Sequence, residues 1–243
     1  MKLPDLLALR FKEPKTFIEY GASQLIGRRT RQEDYFVNFN DECFIVADGV
    51  GGSARGDVAA RLACDTALWA YKLVRQRPFY WNEKKEFMGR IFRSTNLTVW
   101  KKQQDRGFAG LATTLDVVIV NNRNYWFGHV GDASIYLYRS GKLNKLTVDH
   151  ANKYGELTKY VGIRRLGLGP QIESGRLQPE DIILMITDGI TNALAPQSIS
   201  TLLEKIAALN QAPVDFIATL LKHAQEANDG DNMTACVIRR ISE

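Results

Sequence analysis

The hydrophobic and polar positions of the chain predict short β-strands at its beginning, in its middle and at its end. In these stretches apolar residues alternate with polar ones or form runs of strand length. The predicted strands span residues 16–22, 35–39, 43–47, 113–120, 124–130, 134–139, 142–147, 181–187 and 233–240. Turn-forming pairs such as Asn121-Asn122 and Ser140-Gly141 separate neighbouring strands in the middle of the chain. We therefore expect these neighbours to pair antiparallel, as hairpins.

Apolar residues at helical spacing predict four helices in the remaining sequence. The first runs from Ser53 to near Arg77-Pro78, and the others span residues 83–104, 196–209 and 214–227. The residues of the first helix that recur at this spacing, and so are expected to face the core, are Val58, Leu62, Trp69 and Leu73, with Ala59, Ala63, Ala70 and Val74. Because strands and helices are grouped along the chain, the pattern predicts an α+β fold in which helices cover antiparallel sheets.

The composition is that of an ordinary globular protein. The chain has 243 residues, of which 45% are hydrophobic and 24% charged. Since there is no repeat and no linker rich in proline or serine, a single domain over residues 1–243 is expected, with residues 1–15 as an N-terminal extension outside the recognisable motifs. No segment has the apolar length that a membrane span requires.

The cysteines and the N-terminal sequence predict a cytoplasmic location. Cys43, Cys64 and Cys236 are odd in number and lie within or beside apolar segments, which favours buried free thiols over disulfides. Residues 1–15 lack the apolar core and the small-residue cleavage site of a secretory signal.

The net charge of +5 raises the possibility of nucleic-acid binding, which the arrangement of the charges opposes. The basic residues form small scattered groups, and they are not interleaved with aromatic residues. We therefore expect no nucleic-acid partner. A mildly basic surface also suits acidic or phosphorylated partners.

Two Asp-Gly pairs that end apolar runs are the first candidates for function. Residues 44–47 lead into Asp48-Gly49, and residues 183–187 lead into Asp188-Gly189. A carboxylate at a rigid strand end can point outward, so two such ends from distant parts of the chain could converge on a divalent cation. Asp-Gly is also the commonest hairpin signal, and either pair alone favours a simple turn.

Two further acidic segments stand at predicted element ends, namely Glu33-Asp34 and the segment 229–232. Ligands that are all oxygen suit Mg²⁺ or Mn²⁺ rather than zinc. The histidines, His129, His150 and His223, are not at ligand spacing and are expected to be surface or structural residues. The sequence therefore predicts a site for a hard cation.

Arg29 adds a phosphate-binding group beside these carboxylates. It precedes Glu33-Asp34 by a few residues, so one segment supplies a guanidinium and two carboxylates. A guanidinium binds two phosphate oxygens in a bidentate manner, and divalent cations bind the others and lower the pKa of a water molecule. By itself Arg29 would be taken for a solvated surface residue, but four acidic strand ends make the phosphate-binding role the better interpretation.

Seven motifs then resemble one family, the metal-dependent type 2C protein serine/threonine phosphatases (PPM family). They are Arg29-Thr30-Arg31-Gln32-Glu33-Asp34, residues 44–52 (FIVADGVGG), Ala112-Thr113-Thr114-Leu115, Val130-Gly131-Asp132-Ala133-Ser134, Leu146-Thr147-Val148-Asp149-His150, Ile186-Thr187-Asp188-Gly189 and Asp231-Asn232-Met233-Thr234. They follow the family's order and cover the chain from about residue 21 to 238. The resemblance implies two antiparallel sheets packed as a sandwich and flanked by helix pairs, in α-β-β-α layers.

The resemblance also implies a role for each matching residue. Asp48 would bridge two Mg²⁺ or Mn²⁺ ions, and the Gly49 carbonyl would coordinate one of them. The resemblance assigns further metal contacts to Asp188, Asp231 and Glu33. Asp34 would orient water, and Arg29 would hold the substrate phosphate. A hydroxide that bridges the metals would attack phosphorus in line, without a phosphoenzyme intermediate.

Three departures from the family pattern modify these expectations. Val50 stands where some members carry a histidine proposed to protonate the leaving oxygen, which points to a bacterial type of enzyme. Ala109 and Asn192 are not carboxylates, so the support for a third ion is weak. Only a short segment, 151–161, stands where bacterial relatives have a longer flap, which leaves the flap's substrate contacts open.

The favoured hypothesis is an active phosphatase for phosphoserine and phosphothreonine in proteins, a monomer that acts opposite a Ser/Thr kinase. The first alternative is a catalytically dead phosphatase-like domain that binds phosphoproteins or a signalling partner. The second is a cation-binding α+β protein whose Asp-Gly pairs are only turns. The retained Asp48, Asp188, Asp231 and Arg29 argue against a dead domain, because loss of metal ligands is the expected mark of one.

Overall fold

Two five-stranded antiparallel sheets form the centre of the computed structural model, which describes residues 17–50, 55–75, 84–209 and 211–241. Strands are numbered in chain order. The first sheet contains, in spatial order, β1 (Ile18–Leu25), β10 (Met233–Arg240), β9 (Ile182–Ile186), β6 (Ser134–Arg139) and β7 (Lys142–Lys145). The second contains β2 (Asp34–Phe39), β3 (Cys43–Asp48), β4 (Leu115–Asn121), β5 (Asn124–Val130) and β8 (Gln171–Arg176).

Helices cover the outer face of each sheet. They are α1 (Gly56–Val74), α2 (Lys84–Lys102), α3 (Asp188–Thr191), α4 (Pro196–Leu209) and α5 (Pro213–Ala227). Buried residues of α1 and α2 pack against the second sheet, and those of α4 and α5 pack against the first. A third apolar core, which includes Phe44, Val118, Ile183 and Cys236, lies between the two sheets. The α-β-β-α layers that the sequence predicted are confirmed.

Most predicted elements are present, and two elements were missed. The bounds of β5, β6, β10 and α4 are those predicted. β8 was not predicted because its residues are half-buried or exposed at a sheet edge, so they carry little apolar signal. The short helix α3 begins at Asp188. The interpretation of Asp188-Gly189 as a turn is therefore wrong, since the backbone enters a helix there.

The predicted inner face of α1 needs a correction. Trp69 and Leu73 are 62% and 50% exposed, whereas Ala59, Ala63 and Tyr71 are fully buried. Small alanine side chains let the helix approach the sheet closely, and the larger apolar residues then lie on the outer side. The predicted start at Ser53, the predicted end near Arg77-Pro78 and the extension 1–15 lie outside the described residues.

The cysteine prediction is confirmed. Cys43, Cys64 and Cys236 are free and fully buried. Burial raises the pKa of each thiol, so the thiols stay protonated at neutral pH. Within the ranges that the structure describes, no helix combines the length and the apolar character needed to cross a bilayer.

Candidate active site

The predicted site residues surround one cleft of about 810 Å³ at one end of the β-sandwich, here called the carboxylate cleft. Strands β3 and β9 end there, and β2 and β10 begin there. Its polar lining residues include Arg29, Glu33, Asp48, Asp132, Asp188, Asp231 and Asn232. Side chains from distant parts of the chain thus meet, as the sequence predicted for the Asp-Gly pairs.

Hydrogen bonds from the β4 side fix the end of β3 at this cleft. Asp48 lies opposite Asp34 in the antiparallel register of β2 and β3. The backbone N–H of Asp48 donates to Thr114 Oγ1 at 2.9 Å, and Thr113 Oγ1 donates to the Asp48 carbonyl at 2.8 Å. The backbone N–H of Gly49 donates to the Glu33 carbonyl at 3.0 Å. The Asp48 carboxylate is therefore presented from a rigid strand end.

Asp34 lies beneath the cleft and is almost fully buried, with 2% exposure. Its Oδ2 accepts hydrogen bonds from Thr187 Oγ1 at 2.8 Å and from Thr234 Oγ1 at 2.6 Å. Burial raises the pKa of Asp34 to about 6, although both threonine hydrogen bonds act in the opposite direction. Its Oδ1 is buried and has no hydrogen-bond partner. A buried carboxylate oxygen left in this way could accept a hydrogen bond from a bound water.

Asp48 and Asp188 meet from the two sheets. Burial raises the pKa of Asp48 well above its usual value, and the charges of Asp34 and Asp188 raise it further. Burial also raises the pKa of Asp188, as does the neighbouring charge of Asp231. The two carboxyl groups share a hydrogen bond. Mutual repulsion of this kind is what a divalent cation relieves, because it neutralises several carboxylates at once.

Arg29 reaches this group of acids from the segment after β1. Its Nη2 lies 2.7 Å from Asp231 Oδ2, and its Nε donates to the Gly230 carbonyl at 3.2 Å. The hydrogen bond and the charge of Asp231 raise the pKa of the Arg29 guanidinium. The Arg29 side chain is 45% exposed, so it can reach a ligand in the cleft.

Asn232 connects the segment after β1 with the start of β10 at the site, although the sequence predicted no such role for it. Its Oδ1 accepts from the backbone N–H of Glu33 at 2.8 Å. Its Nδ2 donates to the carbonyls of Ile26 and Arg31, at 2.8 and 3.0 Å. Asn232 is 4% exposed and so can hold the Arg29 segment against the start of β10. The signal was present, since Asn232 and Thr234 both belong to a motif that supported the family resemblance.

Two glycines allow β3 and α1 to approach each other at the cleft. A Cβ on Gly49 would lie 2.4 Å from the Gly56 carbonyl oxygen, closer than real atoms come. A Cβ on Gly56 would lie 2.9 Å from Glu33 Oε1. The Glu33 carboxylate therefore lies directly against the start of α1.

Asp132 also lines the cleft, although the sequence analysis gave it no role. Burial raises its pKa to about 6, and the charge of Asp188 contributes. Two hydrogen bonds hold the loop before Asp132 against His150. The backbone N–H of Gly131 donates to His150 Nδ1 at 3.2 Å, and the backbone N–H of His150 donates to the Gly131 carbonyl at 2.7 Å. The His150 ring stacks on His129, with centroids 5.0 Å apart.

The short segment 151–161 forms one wall of the carboxylate cleft. Glu156, Leu157 and Tyr160 line it from this segment, and Val50 lines it from the end of β3. The backbone of Val161 pairs with Thr113, which anchors the end of the segment to the strand side of the site. The segment therefore lies as a wall beside the site.

The donor set fits hard divalent cations. Arg29 is the one basic residue among the described residues that line the cleft, which also carries six carboxylates. In the ranges that the structure describes, no three Asp, Glu, His or Cys side chains are arranged to hold one ion together. Asp231 is paired with Arg29. The oxygen-only chemistry and the raised pKa values of Asp48 and Asp188 nevertheless match what Mg²⁺ or Mn²⁺ binds.

Comparisons with known proteins agree with the sequence resemblance. Residues 21–229 match a family model described as Protein phosphatase 2C. The protein phosphatase PhpP of Streptococcus pneumoniae is 26% identical over 238 residues, which cover 89% of this chain and 94% of PhpP. The serine/threonine phosphatase stp of Listeria welshimeri is 26% identical over 224 residues, or 83% of this chain and 85% of stp.

Two solved structures show the same fold. The serine/threonine phosphatase of S. agalactiae superposes with a TM-score of 0.81 at 22% identity, and the match covers 93% of this chain and all (100%) of that one. The catalytic domain of the serine/threonine phosphatase PstP, solved with two manganese ions, has a TM-score of 0.78 at 20% identity and covers 93% of this chain and 99% of its own.

Proposed function

The chain belongs to the protein phosphatase 2C family, and we propose that its carboxylate cleft hydrolyses phosphoserine and phosphothreonine side chains of proteins. The observation that carries this proposal is the convergence of Asp48 and Asp188 from two different sheets, with Arg29 and Asp231 beside them. Such a site combines carboxylates for divalent cations with a guanidinium for the phosphate.

Mg²⁺ or Mn²⁺ is the proposed cofactor, with two ions in the cleft. The residues proposed to hold them are Asp48, the Gly49 carbonyl, Asp188, Asp231 and Glu33. The PstP structure, which shares the fold, holds two manganese ions. When bound, the cations supply charge neutralisation and lower the pKa of the attacking water.

The side chains around the cations have separate tasks in this proposal. Arg29 first gives up its hydrogen bond with Asp231. It then binds two phosphate oxygens of the substrate and so orients phosphorus. Asp34 lies beneath the cleft with one oxygen fixed by Thr187 and Thr234, and its other oxygen accepts a hydrogen bond from the attacking water. Val50 has no proton to donate to the leaving oxygen.

The test is phosphate release from a phosphothreonine peptide by the purified full chain with Mn²⁺. We expect Mn²⁺-dependent release that falls at least about 100-fold in Asp188→Asn, because a ligand of the cations that would stabilise transition-state charge is lost. Asp65→Asn, an exposed carboxylate of α1 that pairs with Arg61, is the matched control and should keep wild-type activity.

Two outcomes would count against the proposal. Phosphate release that is unchanged in Asp188→Asn would show that the carboxylate cleft is not the catalytic site. Mn²⁺ binding by calorimetry without any turnover would favour a dead phosphatase-like domain instead.

The biological setting proposed for the enzyme is a phosphoprotein substrate in the cytoplasm, an opposing Ser/Thr kinase and a monomeric state. The thiols of Cys43, Cys64 and Cys236 are all free, which is consistent with a reducing compartment. Coexpression with a kinase encoded nearby, followed by phosphosite mapping with and without the phosphatase, tests the pairing.

A further inference from the structure

Residues 151–161 form one side of the carboxylate cleft and are here called the cleft wall. Leu157 and Tyr160 bring apolar and aromatic surface from this segment into the lining of the cleft. The backbone N–H of Thr158 donates to the His150 carbonyl at 2.7 Å. The wall is thus folded back against the residue that precedes it.

Side chains of α2 hold the other end of the cleft wall, at Gly162. The backbone N–H of Gly162 donates to Asn96 Oδ1 at 2.9 Å, and the Gly162 carbonyl accepts from Gln103 Nε2 at 2.6 Å. Asn96 Nδ2 also donates to the Arg164 carbonyl at 2.7 Å. Asn96 and Gln103 lie about two helical turns apart, so they share one face of α2. Both polar groups of the Gly162 backbone are therefore bound by amides of this helix.

Asn96 is a buried polar residue on a side of α2 that is otherwise largely apolar. It is 2% exposed, and its neighbours on the buried side include Phe92 and Val99. Asparagine is a weaker helix former than leucine or alanine, and a buried amide must find hydrogen-bond partners. Asn96 finds them in the backbone that follows the cleft wall. Its polar group thus serves the segment beside the cleft rather than α2 itself.

The backbone around Gly162 is fixed at one position. Its φ of +98° favours glycine, and a Cβ there would lie 2.5 Å from the Leu111 carbonyl oxygen. The N–H of Val161 donates to the Thr113 carbonyl at 2.8 Å. Thr113 in turn bonds the Asp48 carbonyl through its hydroxyl. The cleft wall therefore ends directly beside the strand end that presents Asp48.

The carboxylate cleft has room for more than a phosphate group. Its volume of about 810 Å³ lies in the upper part of the range of small-molecule sites, about 300–1,000 Å³. A phosphorylated side chain that reaches Arg29 and the carboxylates fills part of this space. The neighbouring residues of a polypeptide then meet the rest of the lining. Leu157 and Tyr160 are only half-buried, so they have surface left for such contacts.

We propose that Asn96 and Gln103 are positioning residues, which set the cleft wall for the residues that flank the phosphorylated side chain of a protein substrate. This inference rests on the proposed function, because it concerns the same cleft. A wall that is already in place loses little freedom when a peptide binds. Neither amide is among the described groups that line the cleft. Their loss should therefore weaken peptide binding and leave the attack on phosphorus unchanged.

Steady-state kinetics on two substrates tests the proposal. A phosphothreonine peptide has flanking residues, and N-acetylphosphothreonine amide has none. In Gln103→Met, which removes a half-buried amide and keeps the side-chain length, we expect KM for the peptide to rise at least about fivefold. The value of kcat, and kcat/KM for the amide, should change less than about twofold. Asn96→Leu, which removes the other amide, should act in the same direction.

Gln104→Met is the matched control for these variants. Gln104 is exposed, and its amide donates within α2 to the Trp100 carbonyl. The variant therefore removes the same chemical group one position along the helix, and it should behave as the wild type does with both substrates. Because Gln103→Met alters only a half-buried side chain, it decides the case even if Asn96→Leu does not fold.

A binding measurement separates this inference from the phosphatase activity. The probe is a fluorescent peptide with a phosphonate in place of the phosphate ester, and anisotropy reports its binding to the full chain with Mn²⁺. We expect weaker binding in Gln103→Met than in wild type and Gln104→Met. That result without turnover by wild type would refute the phosphatase and support the role of the wall.

Two results would overturn the proposal. One is an unchanged peptide KM together with an unchanged affinity for the phosphonate peptide in Gln103→Met. The other is an equal loss of kcat/KM for the peptide and for N-acetylphosphothreonine amide, because the variant would then act on the phosphate end of the cleft or on the fold as a whole.

Discussion

Asp34 shows how single residues set the chemistry of the carboxylate cleft. It is buried, yet two hydroxyl groups from a different sheet, those of Thr187 and Thr234, stabilise one of its oxygens. Burial alone favours the protonated form, and the hydroxyls favour the charged form. The balance places its pKa near 6, so a proton acceptor is available at neutral pH without exposure to bulk solvent.

Thr234→Val should destabilise the protein, because it leaves Asp34 Oδ2 with one hydrogen bond fewer in a buried position. Removal of one partner from a buried polar group costs about 1–3 kcal/mol in the free energy of unfolding. Urea unfolding measures the change, with Thr234→Ser as the variant that restores the hydroxyl. Thr201→Val, which removes an exposed hydroxyl of α4, is the control. Equal stability of Thr234→Val and wild type would contradict the importance of this bond.

His150 links the pH dependence of stability to the loop that carries Asp132. Burial lowers the pKa of His150 to about 4, and the nearby charges of His129 and Lys159 contribute. An unfolded histidine has a pKa near 6.5. Between these values the unfolded chain binds a proton that the folded chain does not, so the contribution of His150 to stability is lost as the pH falls from about 6.5 to 4.

His150→Gln should therefore remove part of the acid sensitivity. At pH 7.5 the variant should be less stable than wild type, because its contact with Gly131 is altered. The difference in the free energy of unfolding between wild type and variant should become smaller as the pH is lowered toward 4. Urea unfolding over this range measures it, and His223→Gln on the exposed face of α5 controls for the loss of a surface histidine. A gap that is independent of pH would refute the expectation.

At the scale of elements, the approach of β3 to α1 determines where the acids lie. Gly49 and Gly56 are in contact there, and a side chain added to Gly49 would meet different atoms from one added to Gly56. A Cβ on Gly49 meets the backbone of α1, which cannot yield easily. A Cβ on Gly56 meets the end of the Glu33 side chain, which can rotate away.

The two glycines should therefore respond differently to substitution by alanine. Gly49→Ala should lower the free energy of unfolding by about 1–3 kcal/mol, as overpacking does, and should also reduce activity. Gly56→Ala should lower the free energy of unfolding less than Gly49→Ala does. It should still reduce activity, because it displaces the Glu33 side chain. Urea unfolding and phosphate release, measured on both variants, check this contrast. Gly89→Ala in α2 is the control, because the nearest atom to a Cβ at that position would be 3.8 Å away. Gly141→Ala is not suitable as a control, because Gly141 has a positive φ of 79°.

The sequence predicted elements well where one face is apolar, and poorly where burial is partial. β10 and α4 have a strong period, and their bounds are as predicted. β8 is a polar edge strand without such a period. The face of α1 was wrong at Trp69 and Leu73, because the side of the helix that carries Ala59, Ala63 and Tyr71 packs against the sheet.

The predicted site residues converge, but their local partners could not be predicted from the sequence. Asp48, Asp188 and Asp231 were found because each follows or precedes an apolar strand. The role of Asn232 depends on contacts with residues more than 70 positions away in the chain. The role of Asp132 depends on its place in the lining of a cavity. A local sequence pattern contains neither kind of information. The resemblance contained both residues without indicating what they touch.

At the scale of the whole molecule, the carboxylate cleft joins the two sheets. Asp34 and Asp48 belong to the second sheet, whereas Asp188 and Asp231 lie at ends of strands in the first. A cation held by residues of both sheets binds only the folded protein, so it stabilises the whole sandwich.

Mn²⁺ should therefore raise the thermal stability of the protein, and a chelator should reverse the effect. At a concentration one hundred times Kd, one ion adds about 2.7 kcal/mol to the free energy of unfolding. The increase should be much smaller in Asp188→Asn and unchanged in Asp65→Asn. Scanning calorimetry over a Mn²⁺ titration measures it, and equal stabilisation of Asp188→Asn would show that the ion binds elsewhere.

The order of strands in the first sheet also determines when the protein can begin to work. β10 lies between β1 and β9, with Ile18 opposite Arg240, yet the ribosome makes it after the other nine strands. Until β10 emerges, β1 lacks its partner and Arg29 lacks the segment around Asp231. A nascent chain thus holds an exposed strand edge from the synthesis of β1 to that of β10, when chaperones would be expected to protect it. Dephosphorylation can begin only after β10 has been made.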